Sequence, residues 1–357
     1  KVEHLDDSTL AIVGGLNPTS NTLHVGESGL ATRLFTPIAS LCHRPLTIQG
    51  EGTLLYRPME MMIEPLRGLG VTVRDGGGYL PIEVQGPIHG GEITVDGSVS
   101  SQFITGLLLA LPLAEQDTTL HVTKAVSTPY IDMTIDTARR FGVEIMHNEG
   151  DYTEFFIEGG QKYEAVDIEI EGDWSGAATM LVAGAIAGEV TVKNISTLSK
   201  QADTAICHAL ERAGAGIIIE QNAITVSKRE LRAFEFDATN APDLFPALAA
   251  LAAAAEGESV IIGTDRLRHK ESDRAETIRR EYEKMGIEVD ISEKNIMRIR
   301  GGEIRPATTF SHHDHRIAMS IAASALRCKE VVTIEAAECV EKSYPTFFED
   351  LESIIVR

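Results

Sequence analysis

The sequence lacks the marks of membrane, secreted and nucleic-acid-binding proteins. No apolar run reaches the roughly 20 residues that a helix needs to cross a bilayer, and the opening residues KVEHLDDSTL have no apolar core behind a basic start. The 357 residues carry a formal net charge of −21 without the extended basic face that a phosphate backbone requires. We therefore expect a cytoplasmic protein with no membrane or nucleic-acid partner.

Cysteine is scarce, and metal-binding patterns are missing. The four cysteines have no C-x-x-C spacing, and three of them lie in apolar helical contexts, where a free thiol packs as a small hydrophobe. Adjacent histidines, as in the run His312 to His315, cannot easily face one ion, and no second cluster completes a shell. We expect free cysteines in a reducing compartment and no metal ligands in that run.

What the sequence does contain is a repeat. Five apolar, small-residue-rich segments each precede a β-prone run, and each unit then continues into a second helix, which in the first four is amphipathic. Four units close with a hairpin whose turn carries Gly or Asn. The unit therefore reads β-α-β-α-β-β, an α/β architecture. Doubly wound nucleotide-binding folds are the competitor, but neither G-x-G-x-x-G nor a P-loop occurs. The five apolar segments are SGLATRLFTPIASL, SSQFITGLLLALPLA, WSGAATMLVAGAIAG, APDLFPALAALAAAA and DHRIAMSIAASAL.

The number of units predicts two lobes. A helix that is apolar nearly all round must be buried, and three units can bury their first helices against each other. We expect a first lobe over residues 1–169 and a second over 170–357, with the crossover in the strand-like run 166–171. The chain opens like the closing hairpin of a unit whose helices are absent, so we expect it to be shortened at its N-terminus.

A cluster of cations in RLRHKESDR predicts an anion site. In a chain of charge −21, only a local concentration of cations holds an anion. Arg provides a planar fork and Lys a point charge, which together suit a ligand with both phosphate and carboxylate. The alternative is a solvated helix start with i,i+4 pairs. The cations are Arg266, Arg268, His269, Lys270 and Arg274.

Several helices begin at residues that have two interpretations. Ser100, Ser101, Ser127 and Asp314 are ordinary N-caps, but converging helix N-termini also bind anions. Asp243, at the entry to an apolar helix, is either a cap or a base. Lys342 is either a solvated lysine or a ligand contact just before the last helix.

Six motifs in register give a specific resemblance over nearly the whole chain. The motifs are DGSVSSQF, STPYID, APD before an alanine-rich helix, RLRHKESDR, DHRIAM and EKSYPTFFEDL, and the chain also contains GESGLATRL and YRPM. With these motifs in this order, the chain resembles the 5-enolpyruvylshikimate-3-phosphate synthases. The resemblance implies an inside-out α/β barrel in each of two lobes, the enolpyruvyl transferase fold, with the active site in the cleft between them.

The resemblance also implies the reaction. The enolpyruvyl group of phosphoenolpyruvate would pass to the 5-hydroxyl of shikimate 3-phosphate with release of phosphate, in the shikimate pathway of aromatic amino-acid biosynthesis. No metal or organic cofactor is implied, and glyphosate is the family's inhibitor. We expect a monomer whose first lobe binds shikimate 3-phosphate and whose second binds phosphoenolpyruvate.

Residue roles follow from the matching positions. Asp243 would orient or deprotonate the attacking hydroxyl, Glu271 would handle the proton at the methylene carbon, and Lys342 is the third catalytic residue. The shikimate 3-phosphate contacts would be Ser100, Ser101, Gln102, Ser127, Tyr130, Asp243 and Lys270. The phosphoenolpyruvate contacts would be Gly29, Arg57, Gln102, Arg274, Arg316 and Lys342.

The chain departs from the family pattern at several positions. Glu27 and Leu30 stand where the family has Asn and Thr, and Arg266 stands where it commonly has Asn. A family segment with a catalytic lysine has no counterpart before Lys1, so we expect the chain as given to fold but to turn over feebly.

Two alternatives remain open. A UDP-N-acetylglucosamine enolpyruvyl transferase shares the architecture, but it uses a cysteine that GEGTLLYRPM lacks. A lobe protein that binds ligand without turnover is the other.

Overall fold

The structure, a computed structural model, describes residues 1–148, 150–268 and 270–354. The chain divides into two compact units. The first unit comprises Lys1–Ala125 and Thr134–Val166, and the second comprises Val126–Met133 and the chain from Asp167 onward. Within the described ranges, no helix is both long and apolar enough to cross a membrane.

The first unit opens on the predicted hairpin and continues with two complete repeats. In each repeat, the first two strands are parallel, and the fourth strand lies between the second and the third. Its helices are α1 (Gly29–Ala39), α2 (Ile63–Gly68), α3 (Gln102–Ala110) and α4 (Thr128–Arg140), whose first residues belong to the second unit. Its strands are β1 (Val2–His4), β2 (Leu10–Ile12), β3 (Thr22–His24), β4 (Leu46–Gln49), β5 (Thr72–Asp75), β6 (Ile82–Gln85), β7 (Gly91–Asp96), β8 (Thr118–Thr123), β9 (Met146–His147) and β10 (Glu154–Ile157).

The second unit contains the other three repeats. Its helices are α5 (Trp174–Ala187), α6 (Ile206–Ala213), α7 (Phe245–Ala254), α8 (Arg274–Lys284), α9 (His315–Ala325) and α10 (Phe347–Ser353). Its strands are β11 (Glu189–Lys193), β12 (Gly216–Glu220), β13 (Ala223–Ser227), β14 (Glu235–Asp237), β15 (Glu258–Ile262), β16 (Glu288–Asp290), β17 (Ile296–Arg300), β18 (Thr308–Phe310) and β19 (Thr333–Glu335).

The core of the second unit is built from the first helix of each repeat. Helices α5, α7 and α9 contact one another pairwise, and all residues of α7 from Phe245 to Ala253 are buried. Each of these helices also contacts the sheet of its own repeat. The starts of α7 and α9 lie close together, since Asp243 just before α7 is 3.6 Å from Arg316 in the first turn of α9.

The predicted helix stops are confirmed. Gly142 and Gly286 follow α4 and α8 with φ angles of 81° and 82°, a left-handed conformation that glycine adopts without steric cost. By contrast, the strand predicted over residues 166–171 is wrong. Residues 161–173, all of them described, contain no helix or strand, and the sheet of the third repeat has only three strands, β11, β13 and β12.

Candidate active site

Arg274 lies at the centre of a buried ion network in the second unit. It is the first residue of α8, and its side chain is 0% exposed. Its Nε donates to Asp314 Oδ2 at 2.8 Å, its Nη1 to Asp243 Oδ1 at 2.6 Å and its Nη2 to Glu271 Oε2 at 2.7 Å. Burial alone would lower the pKa of Arg274, but the three carboxylates raise it well above its ordinary value. Arg274 is therefore charged and holds the three acids together.

Three cationic side chains surround Asp243. Its carboxylate accepts a hydrogen bond from Lys270 Nζ at 3.2 Å, and Arg316 Nε lies 3.6 Å from the same oxygen that Arg274 contacts. Burial raises the pKa of Asp243, but Lys270, Arg316 and Arg274 outweigh burial and hold that pKa well below its ordinary range. Asp243 is thus an ionised carboxylate at the entry to α7, in a 3₁₀ turn.

The predicted cation cluster is brought together in part. Lys270 and Arg274 are 19% and 0% exposed, so the solvated-helix interpretation is wrong for both. Arg266 donates from Nη2 to Ser127 Oγ at 3.4 Å. Burial lowers the pKa of Arg266 and Asp243 raises it, with a net lowering. Arg268 is exposed, and His269 lies outside the described residues.

The start of α9 contributes Asp314 to this network and places His315 next to Asp314 in the chain. Asp314 caps the helix by accepting from the backbone N–H of Arg316, and Ser272 Oγ donates to it at 3.1 Å. His315 is buried, and its Nδ1 has no hydrogen-bond partner among the described residues. Burial lowers the pKa of His315 to about 4, so this imidazole is neutral at pH 7.

Ser127 and Tyr130 belong to the second unit, as Arg274 does, because the segment Val126–Met133 is part of that unit. Ser127 has a φ of 53°, and its N–H donates to Asn240 Oδ1 at 3.1 Å. Burial raises the pKa of Tyr130 strongly, and Asp203 and Asp243 raise it further. Tyr130 is therefore a protonated hydroxyl at any physiological pH.

Sequence reasoning missed Asn240 and Asp203. Asn240 stands three residues before Asp243 in TNAPD, and this proximity was the only local signal. Asp203 is fully buried; Ser175 Oγ donates to its Oδ2, and its Oδ1 has no hydrogen-bond partner among the described residues. Burial, followed by the neighbouring Asp243, raises the pKa of Asp203 to about 6. A polar residue in QADTA gives no sign that it will be buried.

Lys342 ends a 3₁₀ turn and is exposed, yet its Nζ donates to the backbone carbonyl of His313 at 3.2 Å. It is therefore held near the start of α9. Among residues 1–148, 150–268 and 270–354, no three His, Cys, Asp or Glu side chains are grouped to hold a metal ion.

In the first unit, a second set of predicted residues converges on Gly29, at the start of α1. A Cβ added at Gly29 would lie 3.1 Å from Cζ of Arg57 and 3.3 Å from Nη1 of Arg33, so two guanidiniums approach the backbone here. Arg33 Nη1 also donates to Gln102 Oε1 at 3.0 Å. Gly29, Arg57 and Gln102 are thus neighbours, with Arg33 between them.

The remaining predicted residues of the first unit lie at the start of α3 and near α1. Ser100 Oγ accepts from the Gln102 N–H at 3.2 Å, and Ser101 is buried. Glu27 accepts from the backbone N–H and the hydroxyl of Thr53, both at 3.4 Å. Leu30 is 50% exposed.

Comparison with known proteins gives one consistent result. The profile of EPSP synthase (3-phosphoshikimate 1-carboxyvinyltransferase) matches residues 2–351. A 3-phosphoshikimate 1-carboxyvinyltransferase of Clostridium kluyveri is 39% identical over 352 residues, which is 98% of this chain and 82% of that protein. The protein of the same name from Methanosarcina acetivorans is 38% identical over 96% of this chain and 81% of its own length.

Solved structures agree. The 2.37 Å structure of EPSP synthase from Acinetobacter baumannii has a TM-score of 0.82 and is 28% identical, over 99% of this chain and 84% of that one. This likeness confirms the predicted fold class.

Proposed function

Because the chain belongs to the EPSP synthase family, we propose that it transfers the enolpyruvyl group of phosphoenolpyruvate to the 5-hydroxyl of shikimate 3-phosphate. This is the reaction of that family, and it is a step of the shikimate pathway of aromatic amino-acid biosynthesis. The hydroxyl oxygen adds to C2 of phosphoenolpyruvate while C3 gains a proton. Loss of a C3 proton and of phosphate then restores the double bond.

The observation that carries the residue roles is the ionised Asp243 among Lys270, Arg274 and Arg316. A carboxylate that stays ionised can accept a hydrogen bond and then a proton from a bound hydroxyl. We assign Asp243 to orienting the 5-hydroxyl and accepting its proton as the C–O bond forms. The surrounding cations stabilise the negative charge that develops on the intermediate and on the departing phosphate.

Glu271 is assigned to the proton at the methylene carbon. Its carboxylate accepts a hydrogen bond from Arg274 Nη2 at 2.7 Å, and Arg274 also donates to Asp243. One arginine therefore links the two proposed proton-transfer groups, and Lys342 supplies a further cation beside the start of α9.

The ligand contacts are proposed residue by residue. We assign shikimate 3-phosphate to the lobe of residues 1–169 and phosphoenolpyruvate to the lobe of residues 170–357. The proposed contacts outside the assigned lobe are Asp243 and Lys270 for shikimate 3-phosphate and Gly29, Arg57 and Gln102 for phosphoenolpyruvate. For shikimate 3-phosphate they are Ser100, Ser101, Gln102, Ser127, Tyr130, Asp243 and Lys270. For phosphoenolpyruvate they are Gly29, Arg57, Gln102, Arg274, Arg316 and Lys342.

The cellular setting is part of the proposal. The four cysteines are all free thiols, which a reducing cytoplasm preserves. We assign the protein to the cytoplasm and to a monomeric working state.

Phosphate release tests the proposal. We expect release only when phosphoenolpyruvate and shikimate 3-phosphate are both present, and none when UDP-N-acetylglucosamine replaces the latter. Asp243→Asn should lower kcat by about 10²–10⁴-fold, the usual cost of removing a general base. Glu235→Gln, which removes an exposed carboxylate nearby in sequence, is the matched control. Binding of both substrates without phosphate release would instead identify a ligand-binding protein.

A further inference from the structure

The segment Phe310–Asp314, which runs from the last residue of β18 to the N-cap of α9, has an unusual backbone. His312 and His313 have φ angles of 54° and 57°, so two successive residues with side chains adopt the left-handed region. This conformation is unfavourable for residues other than glycine and persists only where surrounding contacts enforce it. Contacts with the surrounding structure therefore hold this segment in place.

Helix α8 supplies contacts at both ends of the segment, and Ser311 between them donates to the backbone carbonyls of Glu335 and Ala336. Its first residue, Arg274, binds Asp314. Seven residues later, on the same face of the helix, Glu281 accepts from the backbone N–H of Phe310 at 2.9 Å and contacts Nε2 of His312 at 2.8 Å. An ionised carboxylate only accepts, so His312 Nε2 carries the hydrogen.

Glu281 is suited to a fixed role. Its side chain is 0% exposed, and Lys284 Nζ also donates to it at 2.7 Å. Burial raises the pKa of Glu281, but the hydrogen bonds from Lys284, His312 and the Phe310 backbone outweigh burial, and the pKa lies below its ordinary value. A buried carboxylate with these donors stays ionised and has little freedom to move.

The held segment leads directly into the proposed anion contacts. The carbonyl of His313 accepts from Lys342 Nζ, and Arg316 follows in the first turn of α9. We propose that Glu281 and His312 are positioning residues for phosphoenolpyruvate, which act by fixing the placement of Lys342 and Arg316. This inference rests on the proposed function.

Three substitutions of His312 separate positioning from stability. His312→Gln keeps an N–H donor near the place of Nε2 and should stay within about twofold of wild type. His312→Ala removes the donor and should raise KM for phosphoenolpyruvate about tenfold, the scale of one hydrogen bond to a charged group, at saturating shikimate 3-phosphate. KM for shikimate 3-phosphate should stay within twofold.

His312→Gly removes the donor as well, but glycine accepts a positive φ without strain. We expect its thermal midpoint to exceed that of His312→Ala while its KM for phosphoenolpyruvate is raised at least as much. A purely structural role predicts the opposite, namely that KM recovers as stability recovers.

The control is Arg280→Gln on the outer face of α8, where an exposed pair with Glu276 is lost without contact to the segment. It should leave both KM values unchanged. Wild-type turnover with an unchanged KM in His312→Ala and His312→Gly overturns this inference alone. Failure of the wild-type chain to release phosphate overturns the proposed function, and this inference with it.

Discussion

Arg274 donates from Nε to Asp314 Oδ2 across 2.8 Å, and neither side chain reaches solvent. The pair joins the first residue of α8 to the residue that caps α9. Because Arg274 also contacts Asp243 and Glu271, one guanidinium fixes the relative position of three carboxylates. The positions of the proposed catalytic acids thus depend on a residue that is itself part of the buried structure.

Arg274→Ala should therefore destabilise the protein. Removing one partner of a buried ion pair leaves an uncompensated charge and typically costs about 3–5 kcal/mol in the free energy of unfolding. Urea denaturation measures the loss. Arg280→Ala, which breaks an exposed pair on the same helix, should cost less than about 1 kcal/mol. Similar losses in the two variants would show that the Arg274 network contributes no more than a surface pair.

Arg316 provides the cleaner test of ligand binding. Its Nε lies 3.6 Å from Asp243, beyond hydrogen-bond distance, and its side chain is 15% exposed, so its removal disturbs the fold less. Arg316→Ala should weaken phosphoenolpyruvate binding by roughly 1.5–3 kcal/mol, the range for hydrogen bonds to charged groups. Arg316→Lys should recover only part of this, because lysine lacks the planar fork. Calorimetry with shikimate 3-phosphate present measures both. Unchanged affinity in a folded Arg316→Ala variant would place the anion site elsewhere.

The elements could be predicted from the sequence because their causes are local. Apolar segments such as the one containing α7, glycine stops such as Gly142, and the opening hairpin all follow from periodicity and turn chemistry. The predicted strand over residues 166–171 failed for the opposite reason. A strand requires a partner, and β-propensity alone does not provide one.

Side-chain partners could not be predicted, because they are set by packing between distant residues. Arg274 meets Asp314 40 positions away, and Ser127 meets Asn240 113 positions away. The resemblance marked Arg274 as a ligand contact, and that role stays a prediction. Nothing in the motif RLRHKESDR indicated that its last arginine would be fully buried among acids.

Gly29→Ala should disturb the arginines of the first unit. The new Cβ would lie 3.1 Å from the Arg57 guanidinium and 3.3 Å from that of Arg33, so both must move by a few tenths of an ångström. Since a misplacement of about 1 Å costs on the order of 10²-fold, we expect KM for phosphoenolpyruvate to rise roughly 2- to 10-fold.

Inhibition by glyphosate in the same variant gives a second measurement. If glyphosate binds beside Gly29, its inhibition constant should rise as well. Gly14→Ala is the control, since an added Cβ there meets no atom within 4 Å. A Gly29→Ala variant with wild-type constants would remove Gly29 and Arg57 from the site.

Asp203→Asn should reveal a pH-dependent cost of folding. Burial, together with the neighbouring Asp243, raises the pKa of Asp203 to about 6, above the ordinary value of 3.8. Between these two values the folded state binds more protons than the unfolded state, so this group lowers stability as pH rises from about 4 to about 6. At 1.36 kcal/mol per pKa unit, the loss is about 2–3 kcal/mol. Asparagine does not titrate, so the variant does not show this loss of stability.

The measurement is the difference in unfolding free energy between Asp203→Asn and wild type, from urea denaturation at pH 4, 5, 6 and 7. Groups that titrate equally in both proteins cancel in this difference. It should move in favour of the variant by about 2–3 kcal/mol across the series, with most of the change below pH 6. Asp237→Asn, which changes an exposed carboxylate, should show no such trend. A difference that is constant with pH would mean that Asp203 is already ionised at pH 4, and that Arg316 rather than a proton neutralises it.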